Sequence, residues 1–444
     1  MKLLNYLREH QLAGGIVVLA VTQFGASIVG LVRDHILNQT FAGNLAVVDA
    51  YLAAFRPSDL IFQTCIVSAM GTVLVPVLAS YHARGDNTEM SKVLNGSTGI
   101  AAAIFGLVAL ILGLLFPWIG PHLVEFQGET LPLYIRFGQL TLLINFLFVF
   151  GNATGQYLIT MQKYWIYGIT PIVYTLGTIA GTIWLTPYFG VFGPIYGTLL
   201  GACLYVLLRQ WAVLRSGASF AVSLWHADIP SMARLMLPRI LASGAFQMQL
   251  LFLDRLASGF PAGAVTINSS TRNFQSVLVG VVGIAIAQSV YSILSQAAAK
   301  KQEDRFHKYF RHGMWLCILL TIPGAIALVL LSPFAAHLVS LSQYLRVFTI
   351  CIAIYAVSIP FESISHLQYR AFYAMKETMI PACFGVLGGA AAVATGFFFA
   401  PSFGFYSIPL GYTLGEAIQT MGLALVLPSM TKRFMKPLEQ TSSL

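Results

Sequence analysis

TPYFGVFGPIYGTLLGA at 186–202 and APSFGFYSIPLGYTLGEA at 400–417 are one pattern written twice. Pro187, Phe189, Gly190, Gly197 and Gly201 recur 214 positions later as Pro401, Phe403, Gly404, Gly411 and Gly415. GQYLITMQKYW at 155–165 resembles LQYRAFYAMKE at 367–377, and Arg56 lies 20 residues before Pro76 much as Arg272 lies 20 before Ser292. Self-similarity with a period near half the chain marks a duplicated lobe and not a stack of short repeats.

Composition says what the lobes sit in. Of 444 residues 57% are hydrophobic and only 9% charged, with mean hydropathy +0.76, against about 25% charged residues in soluble domains. Apolar segments of spanning length, about 20 residues, fall near 13–37, 46–81, 92–118, 131–158, 164–186, 192–214, 230–259, 264–298, 307–331, 343–374, 379–400 and 405–428. The expected fold is an all-α polytopic membrane protein of twelve transmembrane helices. They form two six-helix pseudo-symmetric lobes around a central cavity. The lobes are expected at 1–214 and 231–444, with a cytoplasmic linker at 215–230. An even number of spans per repeat makes both lobes enter from one side, a parallel repeat about an axis along the membrane normal.

Nineteen of the 25 Lys and Arg residues fall at the termini or at even-to-odd connections, Lys163, Arg209 and Arg215 among them. That excess places both termini on the cytoplasmic side of a multi-pass inner-membrane protein. The net charge of +9 is then a topology signal spread over short loops, and no nucleic-acid partner is expected. The first apolar run is too long for a signal peptide and lacks a small-residue cleavage site, so it is expected to be retained. Cys65, Cys203, Cys317, Cys351 and Cys383 sit singly, without metal or disulfide spacing. No cofactor is expected, and a monomer is the expected state. Pro57, Pro76, Pro171, Pro194, Pro323, Pro360, Pro381 and Pro409 should each kink a helix or mark a boundary.

The remaining arginines are the informative ones. On a helix Gln23, Ser27, Gly30 and Asp34 form one polar stripe, and Asp49, Arg56, Asp59 and Gln63 form another. Asn268, Arg272 and Gln275 repeat the pattern in the second half, beside Ser243, Gln247 and Asp254. An Arg at the bilayer centre costs roughly 2.5 to 3.5 kcal/mol on insertion scales, so such faces turn to a bundle interior or a wet cavity. Guanidinium groups there suit phosphate oxygens, with their forked and permanently charged donors. The competing reading is internal pairing of Arg33, Arg56 and Arg272 with Asp34, Asp49 or Asp254.

At these arginines the sequence resembles the MurJ (MviN) family, the lipid II flippases of the multidrug/oligosaccharidyl-lipid/polysaccharide exporter superfamily. VGLVRD at 29–34, DAYLAAFRP at 49–57, LVPVLASY at 74–81 and TRNFQSVLVGVVGIAIA at 271–287 carry the resemblance, which covers essentially the whole chain. It implies substrate-binding positions at Arg33, Asp34, Asp49 and Arg272, with Arg56 supplying a nearby charge. Ser27 stands where the family has Arg, Ile61 and Phe62 replace its arginine pair, and Thr271 replaces an Asp. The implied activity is transfer of a polyprenyl-pyrophosphate-linked sugar, lipid II first, across the cytoplasmic membrane by alternating access, without covalent chemistry. Its partners would be that lipid, the membrane lipids, and a coupling cation or proton. Asp254, Glu362 and Glu416 are the candidates for coupling or gating, against a plain pairing role. Alternatives ranked below it are export of another lipid-linked oligosaccharide, a drug antiporter of the same superfamily, and a membrane glycosyltransferase using His122, Glu125 and Glu129. A nucleotide-driven pump is disfavoured because GxxxxGK[ST] does not occur.

Overall fold

The computed structural model describes residues 11–219, 223 and 225–435. Lys2, Arg8 and Lys436 of the charge pattern, both chain ends, and residues 220–222 and 224 of the linker lie outside the described residues. Among the described residues every regular element is helical. In the first half these are α1 (Gln11–Thr40), α2 (Ala46–Ile61), α3 (Ser68–Ala83), α4 (Asn87–Leu123), α5 (Thr130–Thr160), α6 (Tyr164–Ala180), α7 (Thr186–Phe189) and α8 (Gly193–Leu214). In the second they are α9 (Ile229–Ser258), α10 (Ala264–Leu278), α11 (Ala285–Ala299), α12 (Glu303–Leu330), α13 (Ser332–Leu338), α14 (Leu345–Ala374), α15 (Met379–Phe403) and α16 (Ser407–Met435).

Eight helical stretches among the described residues are long and apolar enough to cross a membrane. On α4 the exposed side chains include Leu107, Leu110 and Leu114, a stripe at helical spacing that in water would be an error and against lipid is the expected surface. Pro194, Pro381 and Pro409 lie in the first turns of α8, α15 and α16, where the missing N–H has no helical partner to lose. Pro57, Pro76, Pro171, Pro323 and Pro360 lie inside helices. A π-helical turn at Phe62–Val67 joins α2 to α3, and another at Val279–Ile284 joins α10 to α11, so the second long helix of each half carries the same interruption.

The chain divides into two compact units. The first runs to Gln247 and includes Pro261–Gly263 and Leu338–Ser340; the second holds Met248–Phe260, Ala264–His337 and the chain from Leu341 onward. Each has its own apolar core. In the first, Phe62, Leu74, Leu78, Leu94, Phe105 and Tyr157 pack together; in the second, Leu294, Phe306, Leu367, Phe372 and Leu423 do so.

The duplicated glycines explain the helix packing. In the first unit α6 lies backbone to backbone on α8: a Cβ on Gly177 would stand 2.5 Å from Gly201 Cα and 2.7 Å from Gly197 O. In the second, a Cβ on Gly411 of α16 would stand 2.5 Å from Ala392 O and 2.9 Å from Gly396 Cα of α15. Between apolar helices in lipid, such close approach is the main source of association, because burying apolar surface gains little there. Gly190 and Gly404 end α7 and α15 with φ of 55° and 56° and ψ of −131° and −136°, a conformation essentially reserved for glycine. The two copies of the motif therefore make the same turn.

Candidate substrate site

In the first unit, Arg33 and Asp34 are successive residues of α1, and the long guanidinium side chain folds back so that Nε and Nη2 both donate to Asp34 Oδ1, at 2.9 and 2.6 Å. The pair is partly buried and locally neutral. Arg33 lies within electrostatic reach of Tyr51 on α2 and Tyr174 on α6. Tyr51 is held by its hydroxyl, 2.9 Å from Thr198 Oγ1, which is itself 2.9 Å from Thr178 Oγ1 and donates to Pro194 O at 2.7 Å. Because the one Thr198 hydrogen is used on Pro194, the other two hydroxyls donate to it.

Asp49, one turn into α2 and 2% exposed, accepts the Gly263 backbone N–H at 2.6 Å. Arg56 is half-buried. Two residues past Pro57, Asp59 accepts from Asn145 Nδ2 of α5 at 2.9 Å, and the same amide donates to Ser58 Oγ at 2.9 Å, so both its N–H groups are used. Arg56 is close enough to Asp59 to contribute to its electrostatic environment.

In the second unit neutral donors reach acids on neighbouring helices. Asn268 of α10 donates to Asp254 of α9 at 3.1 Å, and the Tyr355 hydroxyl of α14 donates to Asn268 Oδ1 at 2.6 Å. Two turns along α10 from Asn268, Gln275 Nε2 donates to Glu362 at 2.6 Å and to Ser358 at 3.1 Å. Glu362 also accepts the Tyr412 hydroxyl of α16 at 3.1 Å. Arg272 is half-buried between Asn268 and Gln275 on the same helix. Glu416 is 6% exposed, and Gln419, one turn on, lies 3.5 Å away.

One residue differs from expectation, and the roles of three others were not legible. Arg209, counted above with the loop charges, is inside the first unit and 3% exposed. It sits within α8, more than a turn before the helix ends at Leu214, so sequence distance from the segment end misassigned it. His122, Glu125 and Glu129 are all exposed. The roles of Asn145, Tyr355 and Tyr412 were missed because nothing in a single hydroxyl or amide says which carboxyl it will meet; the stripe of Asn268 and Gln275 was the only available signal.

The family model described as Lipid II flippase MurJ matches residues 37–442. A probable lipid II flippase MurJ of Vibrio cholerae is 24% identical over 344 residues, covering 73% of this chain and 64% of that protein; the match thus spans less than two thirds of that relative. The solved structure of lipid II flippase MurJ in an inward closed conformation superposes with a TM-score of 0.75 at 17% identity, covering 94% of this chain and 90% of that one. An inward-facing multidrug resistance MATE family transporter of the MOP superfamily gives 0.76 at 16% identity, covering 97% and 100%. Likenesses at that identity concern the fold alone.

Proposed function

We propose, from the premise that this chain belongs to the MurJ family, that it carries a polyprenyl-pyrophosphate-linked sugar, lipid II first among the candidates, across the cytoplasmic membrane. It does so as a multi-pass protein whose twelve helical segments all span, arranged as lobes 1–214 and 231–444 joined by a cytoplasmic linker at 215–230, with both termini cytoplasmic. The observation that carries the reading is the family match over residues 37–442. Arg33, Asp34, Asp49, Arg56 and Arg272 bind the pyrophosphate and its surroundings, and Asp254, Glu362 and Glu416 serve coupling or gating.

Arg33 spends two of its five N–H groups on Asp34, which leaves three to meet phosphate oxygens. Pairing of this kind keeps the empty protein from exposing a bare cation to the bilayer interior, where a lone charge is expensive. Alternating access then needs no covalent step. The two lobes rock in turn, and the headgroup crosses while the polyprenyl tail stays in lipid.

The test is reconstitution into liposomes with labelled lipid II and, separately, with an unrelated polyprenyl-linked oligosaccharide. Arg33→Ala and Arg272→Ala should each slow transport by about tenfold or more, the loss of a charge-assisted contact worth roughly 1.5 to 3 kcal/mol. Transport unchanged in both variants rejects the phosphate role. Transport of the second lipid at the same rate moves the assignment to a broader lipid-linked sugar exporter, and a new covalent product moves it to an enzyme.

A further inference from the structure

The long second helix of each half is broken at the same place. The π-helical turn Phe62–Val67 separates α2 from α3, and Val279–Ile284 separates α10 from α11; they begin six residues after Arg56 and seven after Arg272. We infer that these two turns are matched hinges, about which α3 and α11 swing while the arginine-bearing segments α2 and α10 stay in place. The inference deepens the alternating-access reading above and rests on it.

The turns are kept where their sequence is not. FQTCIV at 62–67 and VGVVGI at 279–284 share no residue at any matched position, so no inherited side-chain pattern produces the break twice. Nor does duplication alone preserve such a feature. The π-helical turn Gly181–Leu185 that follows α6 has no counterpart in α15, whose helix runs unbroken from Met379 to Phe403. A π-turn bonds each N–H to a carbonyl five residues back and fits one extra residue into the helix, a rare arrangement found mostly at functional sites and at kinks.

Burial divides each helix at its turn. Residues 264–271 of α10 are all buried, as are 47–51 of α2. Beyond the turn, α11 buries only the stripe Ala287, Val290, Leu294, Ala297 and Ala298, and α3 buries Leu74 and Leu78 while Pro76, Ala79 and Ser80 are exposed. A segment packed on every side holds its position, whereas one attached along a single face can roll over its neighbour. The second turn also has the parts of a pivot. Val279 packs with Ala325, Ala356 and Ile359, and a Cβ on Gly283 would collide with Ser363 of α14, but a Cβ on Gly280 would meet nothing within 4 Å. One side of the turn is seated on α14 and the other is open, with a glycine there that can leave the helical dihedrals at little cost.

Gly280→Ala tests the hinge because it stiffens the turn without a clash. Ala is favoured over Gly within a helix by a factor of about two to five, the equivalent of about 0.5 to 1 kcal/mol. The variant should therefore hold or raise its melting temperature and slow lipid II transport in liposomes about two- to fivefold. Gly113→Ala, in α4 where a Cβ makes only an ordinary 3.9 Å contact with Leu142, should leave transport as it is. Hydrogen exchange on the full chain in nanodiscs gives a second readout. The amides of 62–67 and 279–284 should exchange faster than the helical residues on either side, and Gly280→Ala should slow only the second set. A turn that serves packing alone leaves the transport rate of Gly280→Ala unchanged; that result, an equal loss in Gly113→Ala, or exchange at both turns as slow as in the flanking helices overturns the inference. A parent chain that moves no lipid II removes the transport reading, and the exchange comparison then decides the hinges alone.

Discussion

Adding one methyl group at Gly411 tests whether the repeated glycines are there for packing. A Cβ at that position would meet Ala392 O at 2.5 Å, Gly396 N at 2.8 Å and Gly396 Cα at 2.9 Å. Ordinary carbon contacts begin near 3.5 Å, so α15 and α16 would have to separate by about 1 Å along that seam. The obstacles are backbone atoms, which cannot turn aside as a side chain would. Overpacking of one methylene costs typically 1 to 3 kcal/mol, while Gly→Ala inside a helix returns about 0.5 to 1 kcal/mol. The expected net loss for Gly411→Ala is therefore about 1 to 2 kcal/mol, or a melting temperature lower by about 2 to 8 °C at 2 to 4 °C per kcal/mol for a unit of this size. Gly280→Ala, in the same unit, is the control, because a Cβ there meets nothing within 4 Å. Its melting temperature should hold or rise slightly. Gly201→Ala should follow Gly411→Ala, with a Cβ 2.5 Å from Tyr174 O. The assay is thermal unfolding of each purified variant in the same detergent. Equal behaviour of Gly411→Ala and Gly280→Ala would refute the packing argument.

Gly190→Ala and Gly404→Ala place an L side chain at φ of 55° and 56° and should each destabilise by about 1 to 3 kcal/mol through backbone strain alone, visible as matched falls in melting temperature. Glu362→Leu removes the acceptor of both Gln275 and Tyr412 and leaves two buried donors bare, so it should destabilise by more than Gln275→Leu and Tyr412→Phe do singly; thermal unfolding of the three variants ranks them. The triple variant His122→Ala, Glu125→Ala, Glu129→Ala should leave liposome transport within about twofold of the parent, since exposed side chains away from special features contribute within about 0.5 kcal/mol.

Helix positions were legible because a run of apolar residues long enough to span has few alternatives, and the glycines of the duplicated motif were legible because backbone geometry allows nothing else. The polar interior was legible only in part. Helical spacing put Asn268 and Gln275 on one face, and the structure finds both bonded to acids of neighbouring helices. Which acid each would meet depends on contacts 14 and 87 residues away, beyond any local pattern. Arg209 shows the opposite failure. Counting basic residues near segment ends treats each as solvated, yet the Tyr167 carbonyl, which Pro171 leaves without its helical N–H donor, and the space left by Gly151 and Gly155 draw this one inward.

The two halves repeat their backbone more faithfully than their chemistry. Thr198 and Tyr412 occupy the same register of the duplicated motif, each directly after its helix-contact glycine. Thr198 is short, so the hydroxyl it can engage must come to it, and Tyr51 reaches across from α2. Tyr412 is long and does the reaching itself, to Glu362 on α14. The glycine beside each is fixed by a clash with backbone atoms, whereas the next position faces side chains, which can be exchanged in compensating pairs. In the first unit Arg33 is answered by its own neighbour and Arg209 by carbonyls and rings; in the second Glu362 is held by neutral donors. A duplicated scaffold can in this way change which side chains meet in each unit without altering the seams that hold its helices together.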